Sequence, residues 1–156
     1  MAAKPVMLEK PQTDTAHALS RVLADTYFLY LKTHNFHWNV EGANFRSLHL
    51  MFEEQYQALW NALDELAERI RALGQYAPGT YEKYRALATV TETEGIPKSD
   101  AMLRELIADH ETLVRTVQTA LGTAHAAGDE GTAGLLADRL AYHQKQIWMM
   151  RSTLGA

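Results

Sequence analysis

The sequence predicts an all-α protein, a bundle of four long helices with one long crossover. Three observations predict it. Only 9 glycines and 4 prolines interrupt 156 residues, so elements run long. Apolar residues recur every three or four positions, and no run alternates apolar with polar as a half-buried strand does. Chain-breaking residues gather at three places, within 41–44, 74–98 and 128–131.

Each element follows in order. Residues 1–12 carry Pro5, Pro11, Lys4 and Lys10 and read as a mobile tail. Thr13 or Asp14 caps the first helix, which runs to about Val40 with Leu19, Leu23, Tyr30 and His37 on one stripe. Glu41-Gly42-Ala43-Asn44 turns the chain. The second helix spans about Phe45 to Leu73 and stops at Gly74. Its Leu48, Phe52, Leu59, Leu63, Leu66 and Ile70 share one face. Residues 75–98 hold Pro78, Gly79, Gly95 and Pro97, with a short helix at about Tyr81 to Ala88. That is too long for a tight turn and predicts a crossover along the bundle. Ser99 or Asp100 caps a third helix reaching about Ala127. Gly128 and Gly131 break the chain, and the fourth helix covers about Thr132 to Ser152 with Leu135, Leu136, Leu140, Ile147 and Trp148. Residues 153–156 form a short C-terminal tail. One domain over 13–152 with this layout is a ferritin-like four-helix bundle.

Composition narrows the function. Hydrophobic residues at 47% and charged residues at 22% describe a folded globular domain. With no cysteine, disulfides, zinc ribbons, thiol nucleophiles and iron–sulfur clusters are excluded. Any metal must be held by His, Asp and Glu. A net charge of −4 and a pI near 5.9 argue against a dedicated nucleic-acid binder. The first 13 residues lack the apolar core of a signal peptide, and no apolar run reaches the roughly 20 residues a membrane span needs. The expected location is the cytoplasm.

The second helix carries two pairs at i, i+4: His49 with Glu53, and Asp64 with Glu68. Residues four apart stack on one face, so each pair can grip one ion. Taking His49 as zero, Glu53 lies at about 40°, Asp64 at about 60° and Glu68 at about 100° around the helix. This arc points away from the apolar face. Along the axis, His49 and Asp64 are about 22 Å apart, so the two pairs cannot hold one metal within a chain. Folding at Gly42 brings His37 to the His49 end. One end then has two imidazoles and a carboxylate, the other two carboxylates. A two-fold axis beside this helix lays a partner antiparallel and joins the ends, giving two shared di-metal sites per dimer. Mixed imidazole and carboxylate ligands suit iron, with zinc or manganese as substitutes. Trp38 and Trp60 lie near the arc as candidate sinks for stray oxidising equivalents.

The same residues carry a family resemblance. His37-Trp38-Asn39-Val40-Glu41-Gly42, then five residues, Leu48-His49, three residues and Glu53 resemble the first signature of the Dps family of mini-ferritins. Leu63-Asp64-Glu65-Leu66-Ala67-Glu68-Arg69 followed by Leu73-Gly74 resembles the second. The resemblance implies a hollow dodecameric shell built from C2 dimers, with iron bound by His37, His49, Glu53, Asp64 and Glu68 at the dimer interfaces. It implies oxidation of Fe(II), preferentially by hydrogen peroxide, storage of ferric iron in the shell, and protection of DNA from oxidative damage. Many members carry Asp where this chain has Glu53, and the extra methylene shifts or loosens the second iron.

The remaining candidates are weaker. His34, one turn before His37, is expected to be structural rather than a ligand. His110, between Asp109 and Glu111, is expected on an exposed helix face. His17, His125 and His143 give no signal. Arg69 and Arg71 are expected in surface salt bridges. Asp129, Glu130 and Asp138 are candidate pore acids. The alternative function is a nucleoid-associated, DNA-condensing protein with iron oxidation secondary. Each tail brings about one net positive charge, so tight DNA binding at physiological salt is not expected.

Overall fold

The computed structural model describes residues 11–155. Five helices follow in order: α1 (Pro11–Asn39), α2 (Phe45–Ala72), α3 (Tyr81–Leu87), α4 (Ser99–Ala126) and α5 (Glu130–Leu154). There is no strand among the described residues. The four long helices form the bundle: α1 packs on α2 and α4, α4 packs on α5, and α3 lies against α1 within the crossover. Residues 1–10 of the expected tail lie outside the described residues. Pro11 and Gln12, expected in that tail, open α1, because proline at a helix start forfeits no hydrogen bond.

Gly42 turns the chain between α1 and α2 with φ 115°, a conformation a side chain disfavours. At the other end, Gly131 does not break the chain as expected. Asp129 is the N-cap, its carboxylate accepting from Thr132 N at 3.0 Å and Thr132 Oγ1 at 2.6 Å, so α5 starts at Glu130 and runs through Gly131. A Cβ on Gly131 would lie 2.9 Å from Nη2 of Arg69. Arg69 crosses there to donate to Asp129 Oδ1 at 2.7 Å and Thr132 Oγ1 at 2.9 Å. The helix also takes in Thr153 and Leu154, expected in the tail, and Gly155 closes it at φ 76°.

The core is the face expected of α2. Leu48, Phe52, Leu59, Leu66 and Ile70 are buried against Leu19, Leu23, Leu29 and Phe36 of α1 and Leu103, Leu106, Leu113 and Val117 of α4. Each such side chain stabilises the fold by about 1.5–3 kcal/mol. Trp148, expected with the apolar residues of α5, is instead 65% exposed.

The core also holds polar residues. His110 is not on an exposed face: it is fully buried, with Nδ1 2.9 Å from Nδ1 of buried His143. Leu106, His110, Leu113 and Val117 fall at i, i+4, i+7 and i+11, so His110 is part of the apolar stripe. Its charged neighbours turn away, Asp109 to Lys32 of α1 at 2.6 Å and Glu111 to Arg151 of α5 at 2.5 Å. The crossover is tied down by buried Asp25 of α1. Its carboxylate accepts from Thr89 N at 2.5 Å, Val90 N at 2.9 Å and Thr116 Oγ1 at 2.8 Å.

Candidate metal centre

The turn at Gly42 folds the end of α1 onto the start of α2, and so brings His37 to His49. The last carbonyls of a helix have no partner in the helix. Here the carbonyl of His37 accepts from Nδ1 of His49 at 2.7 Å, and Nδ1 of His37 donates to the carbonyl of His49 at 2.8 Å. A carbonyl oxygen only accepts, so both Nδ1 atoms carry the proton. In its neutral form each ring then presents its lone pair at Nε2. That is the tautomer a metal ligand needs, and the bond from Nδ1 to a backbone carbonyl orients the ring. The rings stack, with centroids 3.9 Å apart and planes at 17°. Phe45 stacks on His49 at 5.1 Å, and Tyr56 meets the His37 ring edge-on at 5.1 Å.

Glu53, one turn beyond His49, is half-buried and accepts from Gln57 at 3.5 Å. Asp64 and Glu68 are exposed on the same helix. Asp64 lies in a groove with Trp60, Asn61 and Glu65 of α2, Tyr27 of α1 and Tyr84 of α3. Arg69 passes over neighbouring Glu68 and binds Asp129 instead, so it is not a local surface bridge. Arg71 donates to the carbonyl of Gln75 and lies over the Tyr76 ring, 4.6 Å from its centroid. Within one chain, no three His, Asp or Glu side chains among the described residues come together to hold a metal. His37 and His49 meet, with Glu53 one turn away. Asp64 stands about 22 Å from His49 along the helix, and Glu68 one turn further. The donor set of imidazole nitrogen and carboxylate oxygen fits iron.

His34 is engaged elsewhere. The Tyr30 hydroxyl faces its Nδ1 at 3.2 Å, its ring stacks on Tyr56, and the Trp38 ring meets it tilted at 33°, each centroid 3.9 Å away. Burial, reinforced by nearby His37, lowers its pKa. Asp129, a candidate pore acid, is taken up by its cap and by Arg69. Burial alone would raise its pKa, but the hydrogen bonds from Thr132 and the Arg69 charge hold it below the usual carboxylate range. Tyr56, which touches His37, was not legible as a site residue: no motif marks it, and only its i+3 position after Glu53 puts it on the same side of α2.

The chain matches the Ferritin family, described as a ferritin-like domain, over residues 16–156. A DNA protection during starvation protein from Helicobacter pylori is 36% identical over 142 residues, covering 90% of this chain and 99% of that protein. A low temperature-induced protein from Nostoc is also 36% identical, over 148 residues, covering 94% of this chain and 83% of that one. A Dps protein from Bacillus brevis superposes with TM-score 0.90 at 35% identity, covering 94% of this chain and 98% of that one. One from Vibrio cholerae, of a broad superfamily of ferritin-like diiron-carboxylate proteins, superposes with TM-score 0.92 at 31% identity, covering 99% of this chain and 98% of that one.

Proposed function

This chain belongs to the Dps family of ferritin-like proteins, and on that premise we propose that it is a peroxide-dependent ferroxidase and iron store. Fe(II) is its substrate, bound between two copies of the chain. His37, His49 and Glu53 come from one protomer, Asp64 and Glu68 from its partner. Zinc or manganese competes for the same ligands. The shell is a dodecamer of C2 dimers, ferric iron collects inside it, and DNA is spared the radicals that free iron makes. The observation that carries this reading is the reciprocal bonding of His37 and His49, which prepares two Nε2 lone pairs beside a carboxylate.

The reaction needs little beyond placement. Two Fe(II) ions and one hydrogen peroxide, with two protons, give two Fe(III) and two waters. Both electrons reach one peroxide together, so no hydroxyl radical is released. The carboxylates offset the charge that builds as Fe(III) forms, and the fixed imidazoles keep the ligand geometry through the change. No described helix is long and apolar enough to cross a membrane, and a cytoplasmic site of action, close to the nucleoid, suits this role.

Symmetry supplies the test. His49→Ala and Asp64→Ala each abolish fast Fe(II) oxidation while assembly persists. When the two variants are unfolded, mixed equally and reassembled, a mixed dimer has one site lacking both groups and one intact. Random pairing restores about a quarter of the sites. No recovery on mixing, with assembly intact, refutes the shared site; unchanged oxidation in either variant refutes the ligand assignment.

A further inference from the structure

Buried polar atoms without a partner collect at one place. Of the six such side-chain atoms among the described residues, five belong to Gln55 of α2, His110 of α4, and Arg139 and His143 of α5. Tyr142 ties these residues together. Its hydroxyl donates to the Gln55 carbonyl at 3.4 Å, and its ring centroid lies 4.4 Å from Cζ of Arg139. The rings of His143 and His110 are 5.2 and 6.3 Å from it. Arg139 is half-buried, but its Nε and Nη2 are closed to solvent and have no hydrogen-bond partner. None of the ion pairs among the described residues includes it. Glu65 and Asp138 act on it from beyond ion-pair distance and, with Tyr142, only partly offset its burial. The guanidinium keeps its charge, and a buried charge is costly unless an opposite charge compensates it.

The histidine pair adds a donor. With Nδ1 of His110 2.9 Å from Nδ1 of His143, one ring donates there and the other accepts. The accepting ring carries its own proton at Nε2, and the donating ring's Nε2 is bare. Both Nε2 atoms are buried and unpartnered. Arg139 Nε, Arg139 Nη2 and one imidazole Nε2 therefore offer three donor nitrogens and a single positive charge. We propose that the meeting of α2, α4 and α5 binds a small, singly charged anion of the chloride class. Arg139 is its counter-charge, and the imidazole N–H of the His110–His143 pair is its further donor. Water can satisfy the bare imidazole nitrogen and Gln55 Oε1, since it donates, but a neutral molecule leaves the guanidinium uncompensated. A phosphate or sulfate brings a second negative charge and more oxygens than there are donors. One halide ion matches both the charge and the donors, and by joining α5 to α4 it stabilises the bundle. The proposal does not depend on the ferroxidase reading.

The test uses the full assembled chain with chloride exchanged for gluconate, an anion too large to enter, at constant ionic strength. Restoring chloride raises the thermal unfolding midpoint, and the rise saturates. At about ten times its dissociation constant, chloride lowers the unfolding constant about tenfold. Arg139→Met, which keeps an apolar stem beside Tyr142 and removes the charge, shows no such rise. Crystals grown with bromide give an anomalous peak within hydrogen-bond reach of Arg139 Nε or Nη2. Should Arg139→Met fail to assemble, Arg139→Lys decides. It keeps the charge but loses the planar fork, so it needs more chloride for half the effect; an unchanged half-point overturns the proposal. An unresponsive parent overturns it, as does an equal rise in Arg139→Met. Absence of a bromide peak at Arg139 means that water alone fills the place, and overturns it too. A bromide peak with no chloride response in solution marks an adventitious ion only, with the same consequence.

Discussion

His37 and His49 anchor each other through backbone, not through side chains: each Nδ1 donates to the other residue's carbonyl, at 2.8 and 2.7 Å. Replacing either ring therefore leaves the other's anchor in place. What both anchors share is the register of the hairpin, which Gly42 sets at φ 115°. Gly42→Ala strains that turn and shifts both rings at once without removing a ligand. Affinity for Fe(II) is expected to fall about 10–100-fold, the usual cost of disturbing the groups that orient metal ligands. Anaerobic titration checks this, and unchanged affinity in a folded Gly42→Ala protein would contradict it.

The His110–His143 pair makes stability depend on pH. Burial, then the Arg139 charge, pushes His110 down to about 3. Burial, with His110 and Arg139, pushes His143 well below the ordinary range. The unfolded chain protonates both near 6.5, so it binds more protons than the folded state below that pH. The stability is complete above about 6.5 and is lost as pH falls toward about 3, by several kcal/mol in all. Asp129, whose pKa is lowered, adds a loss only as pH falls below the usual carboxylate range. Urea midpoints should drop steadily from pH 6.5 to 4, and the double variant His110→Leu, His143→Leu should flatten that slope. A flat parent profile would rule this out.

The helices and the hairpin were legible because their signals are local: glycines at the turns, cap residues and apolar spacing all lie within a few residues of what they decide. The pairing of His37 with His49 was legible for the same reason, since a four-residue break separates their helices. His110 was misread because Asp109 and Glu111 beside it suggested a charged face, whereas its spacing from Leu106, Leu113 and Val117 was the better guide. The ties of Lys32 to Asp109, Arg69 to Asp129 and Asp25 to Thr89 span 77, 60 and 64 residues. No periodicity within one helix encodes a partner that far away.

Lys32 and Asp109 form an ion pair between α1 and α4, with side chains only 6% and 14% exposed. Burial raises the Asp109 pKa, and Lys32 offsets this only in part, so removing either partner strands a buried charge. Asp109→Ala or Lys32→Ala should each cost about 3–5 kcal/mol, while Lys32→Met combined with Asp109→Leu should recover most of it. Denaturant unfolding of the three proteins measures the difference. A double variant no better than the singles would mean that the pair itself, rather than its breaking, governs stability.

Asp25 fastens the crossover to the bundle. One carboxylate oxygen accepts from the amides of Thr89 and Val90, and the other accepts from the Thr116 hydroxyl. An asparagine can reproduce this pattern. Its carbonyl oxygen takes both amides, and its NH2 donates to the Thr116 hydroxyl, which turns its single proton to the Thr112 carbonyl 3.2 Å away. Alanine has no acceptor and leaves two amides unsatisfied beside buried Val90. Asp25→Ala is therefore expected to cost roughly 1–3 kcal/mol, and Asp25→Asn much less. The loss should be local, because the long helices keep their own packing. Amide exchange at Thr89 and Val90 and protease cleavage within 75–98 should both accelerate in Asp25→Ala, ahead of any change in the α2 amides. If Asn is as damaging as Ala, the negative charge of Asp25 matters here, and acceptor geometry alone does not explain its burial.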